Sequence, residues 1–522
     1  MIKNIKWLLL VSILFVACSE DDKAIVVTNS SDGLPLTAGT ADFSKYVAVG
    51  NSLTAGFSDG ALFIEGQKSS WTNILSQQFA LVGGGEYRIP FMSDNLGGFS
   101  IGGTQFALTG VRTYWNGCAP TAVSGISGTV LGESIAANGP YNNVGIPGAK
   151  CIDLVKAGYA GLSPYFGRIA TATTQTVLEY ATTQSPTFFS LWIGNNDVLS
   201  YALAGGDTSL AQITPSAGAI GVGFDESYNA LVNGLTANGA KGVIGNVPFV
   251  TTIPNFTTVS VNPVAPYKYF TDIDQATGCA VYPVSPSDIA TINTINASIL
   301  GPIKQILTAY GQGDRIQLLS TTANNPILIA DETLTSLSAE ITAAALASTN
   351  PQLVALAPFL GPTFGKARHT KTGDLIPLAT SSAIATNATL PPGVPADLGK
   401  NAITYPLADK FVLIPSEIEE LRVATEAYNV TIKAAADAKG LAFVDANKIL
   451  FKVANGGIVN NNYHVSAAFV TGGGFSLDGV HPTPRGYALI ANEFLKAINL
   501  QYGSNLKEVN FADYRTLFPS SL

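Results

Sequence analysis

Apolar positions along the chain follow two rhythms in turn. Short, mostly apolar runs at 45–49, 187–193, 242–247 and 441–445 have the length and the β-branched or aromatic content of buried strands. Between them the spacing turns helical. A helix-like segment lies around 177–180, and Phe224, Tyr228, Leu231 and Leu235 share one helix face. Ile418, Leu421, Thr425, Tyr428, Ile432 and Ala435 share another, opened by Pro415-Ser416 with Glu419 as a capping box and stopped by Gly440. Thr483-Pro484 opens a last helix that turns Tyr487, Ile490, Ala491, Phe494 and Ile498 inward. Strands alternating with helices predict an α/β fold, a three-layer α/β/α sandwich whose mostly parallel sheet is covered on both faces.

Two stretches break the alternation. Residues 83–140 are Gly-rich and irregular, and 253–410 mix Pro-rich loops with an Ala/Leu/Thr helical stretch at 334–360. Neither repeats internally. Both are expected to be insertions over one edge of the sheet, poor enough in charge to form an apolar lid or a groove. The folded domain is then expected at 43–505, with 506–522 a C-terminal tail.

The first residues read differently. Met1 to Lys6 carry two lysines, Trp7 to Val16 are apolar, and Phe15-Val-Ala-Cys18 resembles a lipobox. Residues 1–18 are therefore expected to be a bacterial lipoprotein signal peptide, with Cys18 lipidated. The apolar run is too short for a permanent membrane helix. Ser-Glu-Asp-Asp-Lys follows Cys18 like an acidic export tag, and the small, polar residues 19–42 read as a flexible tether. These features predict a protein of the bacterial cell envelope, an outer-membrane lipoprotein held by its lipid anchor and exposed at the surface.

Composition narrows the partners. The 522 residues could hold two or three average domains, or one large α/β domain with insertions. Only 12% are charged and the net charge is −8, with no basic patch. That excludes a nucleic-acid partner, which needs cationic groups to displace counterions. With Cys18 lipidated, Cys118, Cys151 and Cys279 remain, enough for one disulfide whose pairing the sequence leaves open. No Cys/His cluster has metal-ligand spacing, so no metal site is expected.

Four segments carry candidate chemistry. In Gly50-Asn-Ser-Leu53, Ser52 ends an apolar run where it can cap a helix or act as a nucleophile. A nucleophilic serine needs a base, and only His369, His464 and His481 exist. His369 lies in a basic loop and His464 in an Asn-rich turn. His481 follows Asp478 by three residues through Gly479, a spacing that suits either an ordinary Asp-Gly turn or a carboxylate holding an imidazole N–H. In Trp192-Ile-Gly-Asn-Asn-Asp197 the polar side chains project from a strand's carboxyl end, where amides can meet a developing oxyanion. In Asn143-Val-Gly-Ile-Pro-Gly-Ala-Lys150 a glycine can offer a backbone N–H.

In order, these segments resemble the four sequence blocks of the SGNH/GDSL hydrolase family over most of 45–82, 141–250 and 410–500. The resemblance implies a flavodoxin-like fold and a serine acyl-ester hydrolase, an esterase or lipase that needs no cofactor. By block, it makes Ser52 the nucleophile, His481 the base and Asp478 its orienter. Ser52, Gly148 (with Gly145 a poorer match) and Asn196 form the oxyanion hole. Where the family has Asp in its first block this chain has Asn51, whose amide can also brace the turn. The expected substrate is a small-molecule, lipid or acylated-glycan ester. The rival readings are a carbohydrate deacetylase of the same family and a non-catalytic glycan-binding surface lipoprotein. Oligomeric state is not readable from the sequence.

Overall fold

The computed structural model describes residues 33–265, 286–460 and 462–522. Five strands form one all-parallel sheet: β1 (Tyr46–Gly50), β2 (Asn143–Gly145), β3 (Phe188–Trp192), β4 (Lys241–Gly245) and β5 (Ala442–Val444), in the spatial order 5-4-3-1-2. The helices used below are α1 (Ser52–Ala55), α2 (Trp71–Ala80), α3 (Val177–Thr182), α4 (Asn195–Leu203), α5 (Phe224–Thr236), α6 (Pro415–Lys439), α7 (Ala446–Ala454) and α8 (Pro484–Tyr502).

Alternation along each strand sorts the core into two layers. Val47 and Val49 of β1 pack with Phe189 and Leu191 of β3 against Tyr228 and Leu231 of α5 and Tyr428 and Ile432 of α6. Tyr46 and Ala48 turn the other way, with Phe188 and Trp192, onto Trp71 and Leu75 of α2 and Phe494 and Ile498 of α8. Helices thus cover both faces of the sheet, as parallel strands require.

Register brings three strand ends level, with Gly50 paired to Gly145 on one side and to Trp192 on the other. The segments that leave β1, β2 and β3 therefore emerge side by side. In the order 2-1-3-4-5 the direction of winding reverses at β1, and such a switch point leaves a crevice at the strands' carboxyl ends.

Several expectations change. Residues 143–145, expected as loop, form edge strand β2. The helix at 415–439 is capped by Glu417, whose Oε2 accepts from the Ile414 N–H at 2.8 Å, while Glu419 pairs with Arg422 in solvent. The stretch 334–360 holds two helices, Ser338–Leu346 and Pro351–Phe364. These join Pro286–Ile295 and Gly301–Ala309 around a separate core that includes Ile303, Leu328, Ile341 and Phe364. The longer insertion is a packed unit of its own rather than a loose lid. Residues from 35 onward are docked, although 19–42 reads as a free tether: Thr37 N–H donates to Asn505 Oδ1 at 2.8 Å and Thr40 N–H to Tyr502 O at 2.8 Å. The expected tail is also packed. Buried Arg112 of the first insertion donates to Pro519 O at 2.7 Å and Ser520 O at 2.9 Å, and Phe518 packs edge-on to Phe63. The signal peptide, its lipobox and Cys18 lie outside the described residues, as does Cys279. Among the described residues no helix is long and apolar enough to cross a membrane.

Candidate active site

Ser52, Gly148 and Asn196 each follow the end of a sheet strand, β1, β2 and β3 in turn. β1 ends at Gly50, and Asn51 caps α1 with its Oδ1 accepting from the Leu53 N–H at 3.0 Å. Ser52 is therefore the first residue of a helix, a position whose N–H has no intrahelical acceptor. The reading of Ser52 as a helix cap is corrected: Asn51 supplies the cap and Ser52 is the helix's first residue, with its hydroxyl left for other partners. Asn51 Nδ2 also donates to Asn195 Oδ1 at 3.3 Å, which ties the start of α1 to the start of α4.

The loop before α8 brings the base. His481 Nε2 lies 2.9 Å from Ser52 Oγ, and His481 Nδ1 lies 2.8 Å from Asp478 Oδ2. With Nδ1–H donated to the carboxylate, Nε2 is left to accept the Ser52 hydroxyl proton. Asp478 accepts four further bonds, from the Gly60, Val480 and His481 N–H groups and from Ser476 Oγ. Burial pushes its carboxyl up. The facing His481, with the His481 and Val480 N–H donors, outweighs that and holds it down at about 2, so Asp478 is ionised at neutral pH. Gly479 is required between them: its φ is +69°, and a Cβ there would come within 2.9 Å of Asn255 N. Asn255, at the start of the longer insertion, donates its N–H to Gly479 O at 2.9 Å and its Nδ2 to Asp478 O at 3.1 Å. The insertion braces the catalytic loop from behind.

The donors opposite are held as firmly. Asn196, in the first turn of α4, donates one Nδ2 hydrogen to Ala149 O at 2.9 Å and keeps the other. Asp197 Oδ2 accepts from the Cys151 N–H at 2.8 Å, so two side chains of α4 clamp the loop that carries Gly148. Gly148 has φ +81° and open space where a side chain would stand, whereas a Cβ on Gly145 would meet Ala55 N at 2.3 Å. Gly145 is a packing glycine whose N–H is spent on Asn143 Oδ1 at 3.0 Å, so of the two candidates Gly148 is the one with an N–H still to give. Among the described residues neither the Ser52 nor the Gly148 N–H has a protein acceptor. The structure thus brings Ser52, Asp478, His481 and Asn196 to one site, with Gly148 next to the Ala149 that Asn196 holds.

The other two histidines are occupied elsewhere. His369, buried in the ladder Ala367–His369 with Leu328–Ala330, accepts from the Gln317 N–H at 3.0 Å. Burial, then Lys304, push it down to about 4. His464 Nε2 lies 2.8 Å from Gly456 O on an exposed hairpin. Cys118 is disulfide-bonded, and Cys151 is a free, buried thiol.

Three features escaped the sequence reading. Asp59 Oδ1 accepts from the Leu477 N–H at 2.9 Å while its own N–H donates to Ser476 Oγ at 2.9 Å, so the turn after α1 grips the catalytic loop. The Asp59-Gly60 pair is a turn signal that could have drawn notice. Burial pushes Asp59 up to about 7, the Leu477 N–H only partly offsets this, and nearby Asp478 adds to the rise. Phe57 packs its ring 4.5 Å from that of His481. The third is an apolar cavity of about 110 Å³ that opens beside Ser52 and His481 and runs between α7 and α8 over Trp192 and Val444. Of the two insertions, expected to shape the site, only Ile253 reaches its wall.

One acidic group among the described residues could hold a cation. Carboxylate oxygens of Glu332, Asp409 and Glu417 lie within 4.8 Å of one another. Burial and then Glu332 push Asp409 up to about 7; burial chiefly, with Asp409 adding to it, pushes Glu417 up to about 8. Shared protons therefore account for this group at neutral pH.

No family model, curated protein or solved structure matches the chain. What the site can do rests on its own geometry: a serine within reach of an oriented base, facing backbone and side-chain donors with unused hydrogens.

Proposed function

We propose that the protein is a serine ester hydrolase of the SGNH/GDSL type. The observation that carries this reading is the unbroken hydrogen-bond chain Asp478–His481–Ser52, at 2.8 and 2.9 Å. The strand order 2-1-3-4-5, that of flavodoxin-like sheets, supports it, as does the site's position at the switch point.

His481 Nε2 takes the Ser52 hydroxyl proton as Oγ attacks the ester carbonyl, and Asp478 steadies the imidazolium that forms. The tetrahedral oxyanion accepts from the Ser52 and Gly148 N–H groups and from the free Asn196 Nδ2 hydrogen. Collapse of the intermediate breaks the bond to the alcohol, which takes the proton back from His481. Water, deprotonated by His481, then releases the acid from Ser52.

The test is p-nitrophenyl acetate hydrolysis together with labelling by a fluorophosphonate. The native protein should turn over the ester and carry one label, on Ser52; folded Ser52→Ala should do neither. Turnover that survives in Ser52→Ala would remove the mechanism, and a folded native protein with neither turnover nor label would favour the glycan-binding reading. The proposed lipid anchor is tested separately by palmitate labelling of the native chain against Cys18→Ala.

A further inference from the structure

We infer that the apolar cavity seats the acyl part of the substrate, a straight aliphatic chain of about eight to ten carbons. This rests on Ser52 being the nucleophile.

The cavity begins at Ser52 and His481, and beyond that end Glu493 is the only ionisable residue on its wall. Glu493 is held by surface Lys496 at 2.8 Å, which marks the far mouth. The walls between offer methyl, methylene and aromatic groups: Ala446, Ile449 and Val453 from α7, and Ile490 and Phe494 from α8. A sugar or peptide seated there would lose its water hydrogen bonds with nothing to replace them, whereas an alkyl chain loses none.

Two measures set the length. Along α8 the lining runs from Gly486 to Phe494, eight steps of the helix and so ~12 Å; along α7 it runs from Ala446 to Val453, ~10 Å. An all-trans chain advances ~1.25 Å per carbon, from a 1.52 Å bond at a 111° angle, so about eight to ten carbons fit. The cavity volume agrees. On the scale where one water needs ~10–15 Å³, the ~110 Å³ available holds roughly eight waters, and a methylene displaces about as much.

The direction of the ester follows from the reaction. The alcohol must leave while the acyl group is still bonded to Ser52, and a water must then enter on the side His481 serves. An alcohol buried in the cavity would be trapped beneath the acyl-enzyme. An acyl chain buried there leaves that side open.

Ethyl decanoate and decyl acetate are isomers of equal hydrophobicity that place the long chain on opposite sides of the ester. The native protein should hydrolyse ethyl decanoate with kcat/KM at least ~100-fold higher, since each buried methylene is worth up to about fourfold. Ile449→Trp and Ile490→Trp fill the cavity from half-buried wall positions. Each should lower ethyl decanoate turnover at least tenfold while p-nitrophenyl acetate turnover stays within about twofold. Equal turnover of the isomers, or preference for decyl acetate, overturns the assignment. Calorimetric titration of sodium decanoate into Ser52→Ala keeps this apart from the hydrolase reading. Saturable binding that Ile449→Trp abolishes upholds the cavity even in a protein without esterase activity, and no binding sinks it even in an active one. Monodecanoylglycerol, didecanoyl phosphatidylcholine and decanoyl sucrose, run in parallel, then distinguish which alcohol carries the chain.

Discussion

In the proposed mechanism Asn196 does two jobs with one amide, and its removal separates them. One Nδ2 hydrogen is spent on Ala149 O at 2.9 Å, and the other would donate to the oxyanion. Asn196→Ala therefore removes a transition-state donor, worth about 3 kcal/mol or 10²- to 10³-fold in kcat. It also orphans the Ala149 carbonyl, at a cost of about 1–3 kcal/mol in stability. The Gly148 loop still keeps its second clamp, Asp197 to the Cys151 N–H at 2.8 Å, so the site should not collapse. The expected signature is a large fall in kcat with KM within about threefold, because the lost bond is made only in the transition state. Asn196→Asp sharpens the test. The carboxylate matches the amide in shape, yet it faces both the developing oxyanion and Ala149 O with acceptors, so it should be slower than Ala. Steady-state kinetics on p-nitrophenyl esters, with circular dichroism to confirm folding, decide the matter. If the alanine variant keeps more than about a tenth of native kcat, or the aspartate variant outperforms it, Asn196 is not an oxyanion donor.

Asp478→Asn keeps the shape of the catalytic loop but puts an NH2 group among donors, so kcat should fall by about 10⁴ while fluorophosphonate labelling slows in parallel; a loss under tenfold would separate Asp478 from the mechanism. Stability should fall as pH rises through neutrality. Burial raises Asp59 and Asp197 to about 7, so the folded state binds more protons than the unfolded one between pH ~4 and ~7 and favours folding on the acid side of that window. Asp478, held down at about 2, works in the opposite sense and withdraws its contribution only below pH ~4. Thermal melts across pH 4–8 should therefore show a midpoint that drops toward pH 8, less so in Asp59→Asn; a rise toward pH 8 would contradict the burial argument. Deleting 516–522 takes two of the acceptors from buried Arg112 and uncovers Phe63, and should cost about 3–5 kcal/mol, read as a lower denaturant midpoint. An unchanged midpoint would mean the tail is not part of the fold. Asn51→Asp should stay folded if Asn195 turns its amide to donate, and its added negative charge should move the acid limb of the pH–rate profile upward; an unmoved limb would mean the charge is not felt at His481.

What the sequence made legible divides along physical lines. Four of the five sheet strands announce themselves as apolar runs, because strands buried on both faces need apolar side chains throughout. Edge strand β2 does not: it has three residues and ends in Gly145, chosen for close contact with Ala55, so no periodicity has room to appear. The resemblance of the four polar segments to family blocks picks out the candidate residues, yet only the register Gly50–Gly145 and Gly50–Trp192 explains why three of those segments emerge side by side. A serine with only three histidines to choose from is expected to meet His481, and the structure joins the two. The sequence offers no such sign of Asp59 reaching across to Leu477, since long-range braces leave no periodic trace.

The cavity shows the deeper limit. Ile490 reads as an inward position of α8 and it is inward, but it lines a void, whereas Ala491 beside it faces packed core. Hydrophobic periodicity records only that a position avoids water. It is silent on whether protein or an absent ligand fills the space beyond. The same silence misdirected the insertions. Their scarcity of charge fits a lid over a substrate and fits a subdomain with its own core equally well, and around Leu328, Ile341 and Phe364 the chain uses its apolar residues for the second. Apolar composition therefore locates buried surface, while the position of a void relative to Ser52 assigns its use. That is why the proposed acyl selectivity lies with α8, which the sequence marks as an ordinary packing helix, and with α7, which it does not mark at all, and not with the segments that looked built for it.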